Sequence, residues 1–214
     1  AADKIEPKCI AWRHDFHQNP ELGNRETRTA KIIADHLKSL GLEVKEGVAK
    51  TGVVAILKGG KPGPCIALRA DIDGLPVTER VNIPFASKQK TMYNGQQVGV
   101  MHACGHDIHM SVWLGIAKLM ADQRNSWKGT LVLLAQSAEE TGQGAKRMIT
   151  TTNFQQLPRP NKLLAVHDHA SLPAGTVGFC NGYMMAAVDM MNITIYGKGG
   201  HGAVPDPAID PVLL

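Results

Sequence analysis

The sequence predicts an α/β fold, a mixed sheet with helices on both faces, followed by the start of a smaller α+β domain. Three observations carry that prediction. Short runs rich in Val, Ile and Leu alternate with longer stretches whose apolar residues recur every three or four positions. The short runs lack polar alternation, as strands buried on both faces do. Near residue 187 the texture changes, and "VDMMNITIYG" alternates apolar and polar residues like a half-exposed strand.

Each element follows from its own pattern. Ile5, Cys9, Trp12 and Phe16 recur at helical spacing before Pro20, which predicts a first helix. Ala30, Ile33, Leu37 and Leu40 make a second stripe, closed by Gly41 as a C-terminal stop. "GVVAILKG" and "CIALRADID" read as buried strands. Residues 74–100 show no period and carry Pro, Asn and Gly, which predicts a long loop. A helix then opens at "HACGHD", with Val112, Gly115, Ile116 and Leu119 on one face. "GTLVLLAQ" is a further buried strand, "GQGAKRMITT" a short helix, and "KLLAVHDH" and "GTVGF" strands. The domain boundary is placed at residues 183–187, giving domains 1–185 and 186–214.

Composition narrows the function. With 214 residues and 43% apolar content the chain can bury a real core. A net charge of +4, with no Lys/Arg tract, argues against binding nucleic acid or a membrane surface by charge. No apolar run approaches the length of a membrane span. Cys9, Cys65, Cys104 and Cys180 are too scattered for a CxxC motif or a disulfide scaffold, and Cys9, Cys65 and Cys180 read as reduced, buried thiols. The expected compartment is the cytoplasm, or the periplasm or exterior if a leader preceded Ala1.

The chemistry gathers at predicted strand ends, where open α/β folds place their sites. "RADID" supplies Asp71 and Asp73, "AQSAEE" supplies Glu139 and Glu140, and "AVHDH" supplies His167, Asp168 and His169. "HACGHD" adds His102, Cys104, His106 and Asp107 at a helix start. A buried inert thiol is the usual state of a lone cysteine, but this one stands between two histidines. Thiolate, imidazole and carboxylate together suit zinc, manganese, cobalt or nickel better than calcium or magnesium. In the adjacent pair Glu139-Glu140, one carboxylate can bind metal while its neighbour takes a proton from water. His102 and His109 read as structural, Asp168 and His169 as exposed loop residues, and His201 as part of a turn. Arg69 and Arg147 can pair with the acidic cluster or with substrate, and the sequence does not choose.

Five ordered motifs, "DFHQNPELG", "RADIDGLP", "VMHACGHDIH", "AEETGQGA" and "GKGGHGAVPDPAID", resemble the amidohydrolase branch of metallopeptidase family M twenty, which holds hippurate, N-acyl-amino-acid and auxin-conjugate hydrolases. The resemblance implies a zinc-exopeptidase-like catalytic domain with two divalent ions, manganese or zinc first, cobalt or nickel also fitting. It implies Cys104, His106, Glu140 and His167 as metal ligands and Glu139 as general base. It implies Asp73 as the acid that orients a ligand, and His201 as a lid-domain histidine that approaches substrate. The expected reaction is hydrolysis of an N-acyl amino acid or similar small conjugate, in a homodimer paired through the lid. A dipeptidase or carboxypeptidase of the same family is the first alternative. A non-catalytic metal-binding module is the second, and a cysteine hydrolase using Cys104 the third. The remaining lid, the rest of the catalytic domain and a last metal-binding histidine have no counterpart in these residues, so the chain is expected to be the front part of a longer protein.

Overall fold

The apolar runs form the middle of a five-stranded sheet in the computed structural model, which describes residues 1–189 and 191–213. Its strands are β1 (Glu43–Val48), β2 (Gly52–Lys58), β3 (Lys61–Asp71), β6 (Lys128–Gln136) and β7 (Lys162–Ala165), in the spatial order β1-β2-β6-β3-β7. The β1–β2 and β2–β6 pairs are antiparallel, whereas β6–β3 and β3–β7 are parallel, so the sheet is mixed. The register sets Asp71 opposite Gln136, which brings the C-terminal ends of β3 and β6 level at one edge.

Helices cover both faces, because the central strands are apolar on both sides. Helices α1 (Ala2–Gln18), α2 (Thr27–Ser39) and α3 (His106–Asp122) pack Phe16, Ile33, Leu37, Trp113 and Leu114 onto Val53, Leu57, Leu68 and Leu133. On the opposite face Val54, Ala67, Val132 and Leu134 meet Met148 of α4 (Gly144–Thr150) and Phe154 of α5 (Thr152–Gln155). The chain divides into two compact units, Ala1–His169 and Ala170–Leu214. In the second, Lys198 bridges Ile209 and His201 bridges Val204 in short turns. No helix among the described residues is long and apolar enough to cross a membrane.

Several expectations need correction. Residues 74–100 are not all loop: β4 (Lys90–Tyr93) and β5 (Gln96–Gly99) form a hairpin, turning on Asn94 and Gly95, both with positive φ. Asn-Gly is the strongest short signal for such a turn, and it was present. Strand β1 is unexpected because its charged residues mask its pattern, as suits an edge strand. The α3 face agrees only in part. Gly115 is buried and Ile116 packs on the core, but Met110, Trp113, Leu114 and Ala117 make up the deeply buried side, and Val112 is 43% exposed. That helix is apolar nearly all round, so periodicity could not choose its inward face. The run 162–169 is strand only to Ala165, and Gly175–Phe179 forms no strand, since an extended run without a hydrogen-bonded neighbour is not stable. Within 188–197 the described residues form no strand, and Met190 lies outside them.

The α3 face is testable. Leu114→Ala should cost about 2–5 kcal/mol in denaturant unfolding, because it opens a cavity at a site with no exposure. Val112→Ala should stay within about 0.5 kcal/mol. Equal losses would mean that the helix is turned the other way.

Candidate metal centre

Three elements deliver the cluster to the edge where β3 and β6 end. Asp71 closes β3, and the chain continues through Ile72 to Asp73, with both carboxylates near His106 at 3.6 and 3.5 Å. Gln136 closes β6, and a turn leads to Glu139 and Glu140. His106 opens α3, and Cys104 stands two residues before it. The chain enters that helix through Gly105, whose φ of 82° lies in the left-handed region. A Cβ at Gly105 would sit 2.1 Å from a carboxylate oxygen of Asp168, so only glycine lets these segments meet. His167 follows β7 on the loop carrying Asp168.

His106 lies at the centre and is fully buried. Its Nδ1 is 2.8 Å from the Asp73 carbonyl oxygen, an acceptor only, so Nδ1–H donates and Nε2 points into the cluster. That Nε2 is 3.8 Å from both Glu139 Oε2 and Glu140 Oε1, and 3.6 Å from Asp71 Oδ2. Asp73 also holds the turn, accepting the Glu140 amide at 3.1 Å. Cys104 Sγ and His167 Nε2 are 3.6 Å apart, and His167 Nδ1–H donates to the Asp168 carbonyl at 2.7 Å. Both imidazoles therefore present Nε2 inward while a carbonyl fixes the other nitrogen. Groups of potential ligands with donor atoms within 4.8 Å of one another are Cys104–His106–His167, His106–Glu139–Glu140, Asp71–His106–His109 and His109–His167–Asp168.

The electrostatics call for a cation. Burial alone would lower the His106 pKa, but the Asp73 hydrogen bond and the charges of Asp71 and Asp73 raise it to about 9. Burial, then the charges of Glu140 and Glu139, push the Cys104 thiol up to about 12. Burial also raises Glu140, against the pull of His106. Asp71 resists its burial: the His109 hydrogen bond at 2.5 Å and the charges of His106 and Arg69 hold its carboxyl well below the usual carboxylate range. His106 Nε2, Glu140 Oε1 and Asp73 Oδ1 are buried with no hydrogen-bond partner. Buried polar atoms without a partner are rare and costly. Together with a thiol and a second inward imidazole, they fit a borderline divalent ion.

The structure brings together Cys104, His106, Glu139, Glu140, His167 and Asp73. His201 lies in the second unit, where its Nδ1 accepts the Ala203 amide at 3.1 Å within its own turn. His109 is structural in the sense expected, hydrogen-bonded to Asp71 and Asp168 at the cluster's flank, and Asp168 is an exposed loop residue whose carboxylate reaches it. Asp71, which the sequence places at a strand end beside Asp73 without a role, lies at the cluster against His106 and His109. Arg69 pairs with Asp71 at 2.8 Å, whereas Arg147 bonds Asn24 and Gln143 away from the acids. His102 is buried with both ring nitrogens unpartnered, and burial lowers its pKa to about 4.

Thiol, imidazole and carboxylate donors thus converge at the strand ends of a mixed α/β domain. The chain is a member of peptidase family M20/M25/M40, whose model matches residues 67–210. It is 41% identical over 209 residues to an N-acetyl-L-cysteine deacetylase of Bacillus subtilis, covering 98% of this chain and 48% of the relative. It is 41% identical over 214 residues to thermostable carboxypeptidase 2 of Saccharolobus solfataricus, covering 99% of this chain and 52% of the relative. A Bacillus subtilis crystal structure described as a dinuclear metal binding peptidase of the M20 family superposes with a TM-score of 0.71 at 38% identity, covering 82% of this chain and 46% of that one. The chain thus spans about half the length of the curated relatives it matches.

Gly105→Ala tests the geometry of the helix entrance. The left-handed backbone alone costs an alanine about 1–2 kcal/mol, and the clash with Asp168 adds to it. The melting temperature should drop by several degrees, and an unchanged value would mean that the Asp168 loop sits elsewhere.

Proposed function

We propose that this chain carries the front part of a metal-dependent amidohydrolase acting on N-acyl amino acids or similar small conjugates. The observation that carries the reading is the convergence of orphaned buried donors on one point, His106 Nε2 and Glu140 Oε1 foremost. Cys104, His106, Glu140 and His167 would hold two divalent ions, manganese or zinc before cobalt or nickel. When bound, such ions supply Lewis acidity that lowers the pKa of water and polarises an amide carbonyl. Asp73 orients His106 through its carbonyl and the Glu140 backbone through its carboxylate. Glu139, whose side chain is 39% exposed, is the carboxylate free to move protons. It takes one from the attacking water and returns it to the leaving amine.

The acyl-amino-acid substrate is supported by the name of the Bacillus deacetylase, and a peptidase specificity by that of the archaeal carboxypeptidase. We take the first as the principal reading. A cysteine hydrolase is disfavoured, because that chemistry leaves Glu139, Glu140 and His167 idle. In this reading residues 1–185 belong to the catalytic domain and residues 186–214 open a lid through which two copies pair, with His201 contacting substrate. Cytoplasmic residence accords with four free, scattered cysteines.

In the intact protein, Glu139→Gln should retain its metal and fold and lose turnover by about 10²–10⁴-fold. Near-normal hydrolysis of N-acetyl amino acids by this variant would sink the assignment of the base.

Cys104→Ser, His106→Ala and His167→Ala should each lower metal content in elemental analysis, since a hydroxyl or a methyl replaces a far better donor. Undiminished metal in all three would make the cluster structural. Chelation should abolish activity in the native protein.

A further inference from the structure

The "PELG" motif and the residues after it have no role in the chemistry above, yet they stand directly behind it. Glu26 has no solvent exposure. Its Oε1 accepts the Ala138 amide at 2.8 Å, and its Oε2 accepts the Thr51 hydroxyl at 2.5 Å. Ala138 is the residue before Glu139 and adopts φ 52°, a left-handed conformation that an alanine does not hold without support. Its carbonyl is tied to the Gly144 amide and the Thr141 hydroxyl at 3.1 and 3.0 Å. On the amide side, Glu26 is what holds it.

The same segment is pinned to the other half of the cluster. The Glu21 carbonyl accepts the Gly74 amide at 2.8 Å, next to Asp73, and the Glu21 carboxylate accepts the Thr29 and Arg28 amides at 2.8 and 3.1 Å. A Cβ on Gly23 would lie 3.1 Å from both Ala138 Cα and Asp73 Oδ2. Residues 21–26 thus form a strut touching the Asp73 strand end and the Glu139 turn together. Burial raises the Glu26 pKa, a penalty that a purely space-filling residue would avoid.

We propose that Glu26 is a positioning residue for the turn that carries Glu139 and Glu140, its carboxylate fixing where that turn begins by accepting the Ala138 amide. This rests on the amidohydrolase reading for its consequence, but not for its geometry. A carboxylate offers two acceptors, one for the amide and one for Thr51, and glutamine keeps one for the amide while Thr51 turns to accept.

The test compares Glu26→Ala, Glu26→Gln and Gly23→Ala with the native intact protein. Three readouts are amide hydrogen exchange of the metal-free protein, Mn²⁺ or Zn²⁺ affinity by calorimetry, and kcat and KM on N-acetyl amino acids. Glu26→Ala should speed exchange at Ala138–Glu140 while Leu133 stays protected. It should weaken metal binding and lower kcat by about 10–100-fold, the usual effect of removing a supporting hydrogen bond, with KM nearly constant. Glu26→Gln should restore all three. Should Glu26→Ala not fold, Gly23→Ala, which presses on the same turn and deletes no hydrogen bond, should lower kcat and metal affinity in a folded protein. Native exchange, affinity and kcat in Glu26→Ala, or in Gly23→Ala where only that variant folds, would overturn the proposal while leaving the amidohydrolase reading intact, as would a glutamine variant as impaired as the alanine. A native protein that neither binds metal nor hydrolyses amides, with exchange at Ala138 still governed by Glu26, would instead overturn the amidohydrolase reading and leave the brace standing.

Discussion

Asp73 joins the three elements on which the site depends. Its carbonyl receives the His106 Nδ1 proton and so fixes the rotamer and tautomer of the first residue of α3. Its carboxylate receives the Glu140 amide and so fixes the turn after β6. It is 1% exposed, two residues beyond the end of β3. Strand, helix and turn therefore share one buried acid, and the cluster keeps its shape only while that acid stays in place. Low local dielectric makes these contacts strong and makes their loss costly.

The same economy of buried charge extends outward. Asp71 is held by His109 and Arg69, and Arg69 also reaches Gln136 at the end of β6, so the two parallel strand ends are tied side to side. Behind the entrance to α3 a second set repeats the pattern. Asp107 accepts from His17 at 2.8 Å and Arg13 at 3.2 Å, and the other His17 nitrogen meets Glu79 at 3.0 Å. The His17 pKa is raised chiefly by the Asp107 bond. This set pins α1 and the loop before the hairpin to the helix that presents His106. The charges of this set survive burial because each one is paired, whereas His106 Nε2, Glu140 Oε1 and Asp73 Oδ1, left without partners, lie together where a cation would meet them.

The mixed sheet makes this possible. The parallel β6–β3–β7 section points three C-terminal ends the same way, and the antiparallel β1–β2 edge closes the sheet without contributing ligands. A slip of one residue between β3 and β6 would turn Asp71 to the opposite face and separate it from His106. Apolar packing on both faces holds that register, since Leu68, Leu133 and Leu134 are all locked under helices.

The sequence by itself determined the fold class, the central strands, three main helices and the residue types of the cluster, because burial periodicity and donor chemistry are local properties of the chain. "HACGHD" and "SAEE" announced their chemistry through composition alone. Tertiary structure decided what depends on distant partners. The inward face of α3 was settled by the sheet beneath it, not by its own nearly uniform apolarity. The hairpin over 90–99 was announced by Asn94-Gly95 but hidden by charged, exposed strands. Glu26 was illegible, because in the sequence it is an ordinary acid before a helix. Only the fold carries it across 112 positions to the amide of Ala138, where burial turns an unremarkable carboxylate into a structural acceptor.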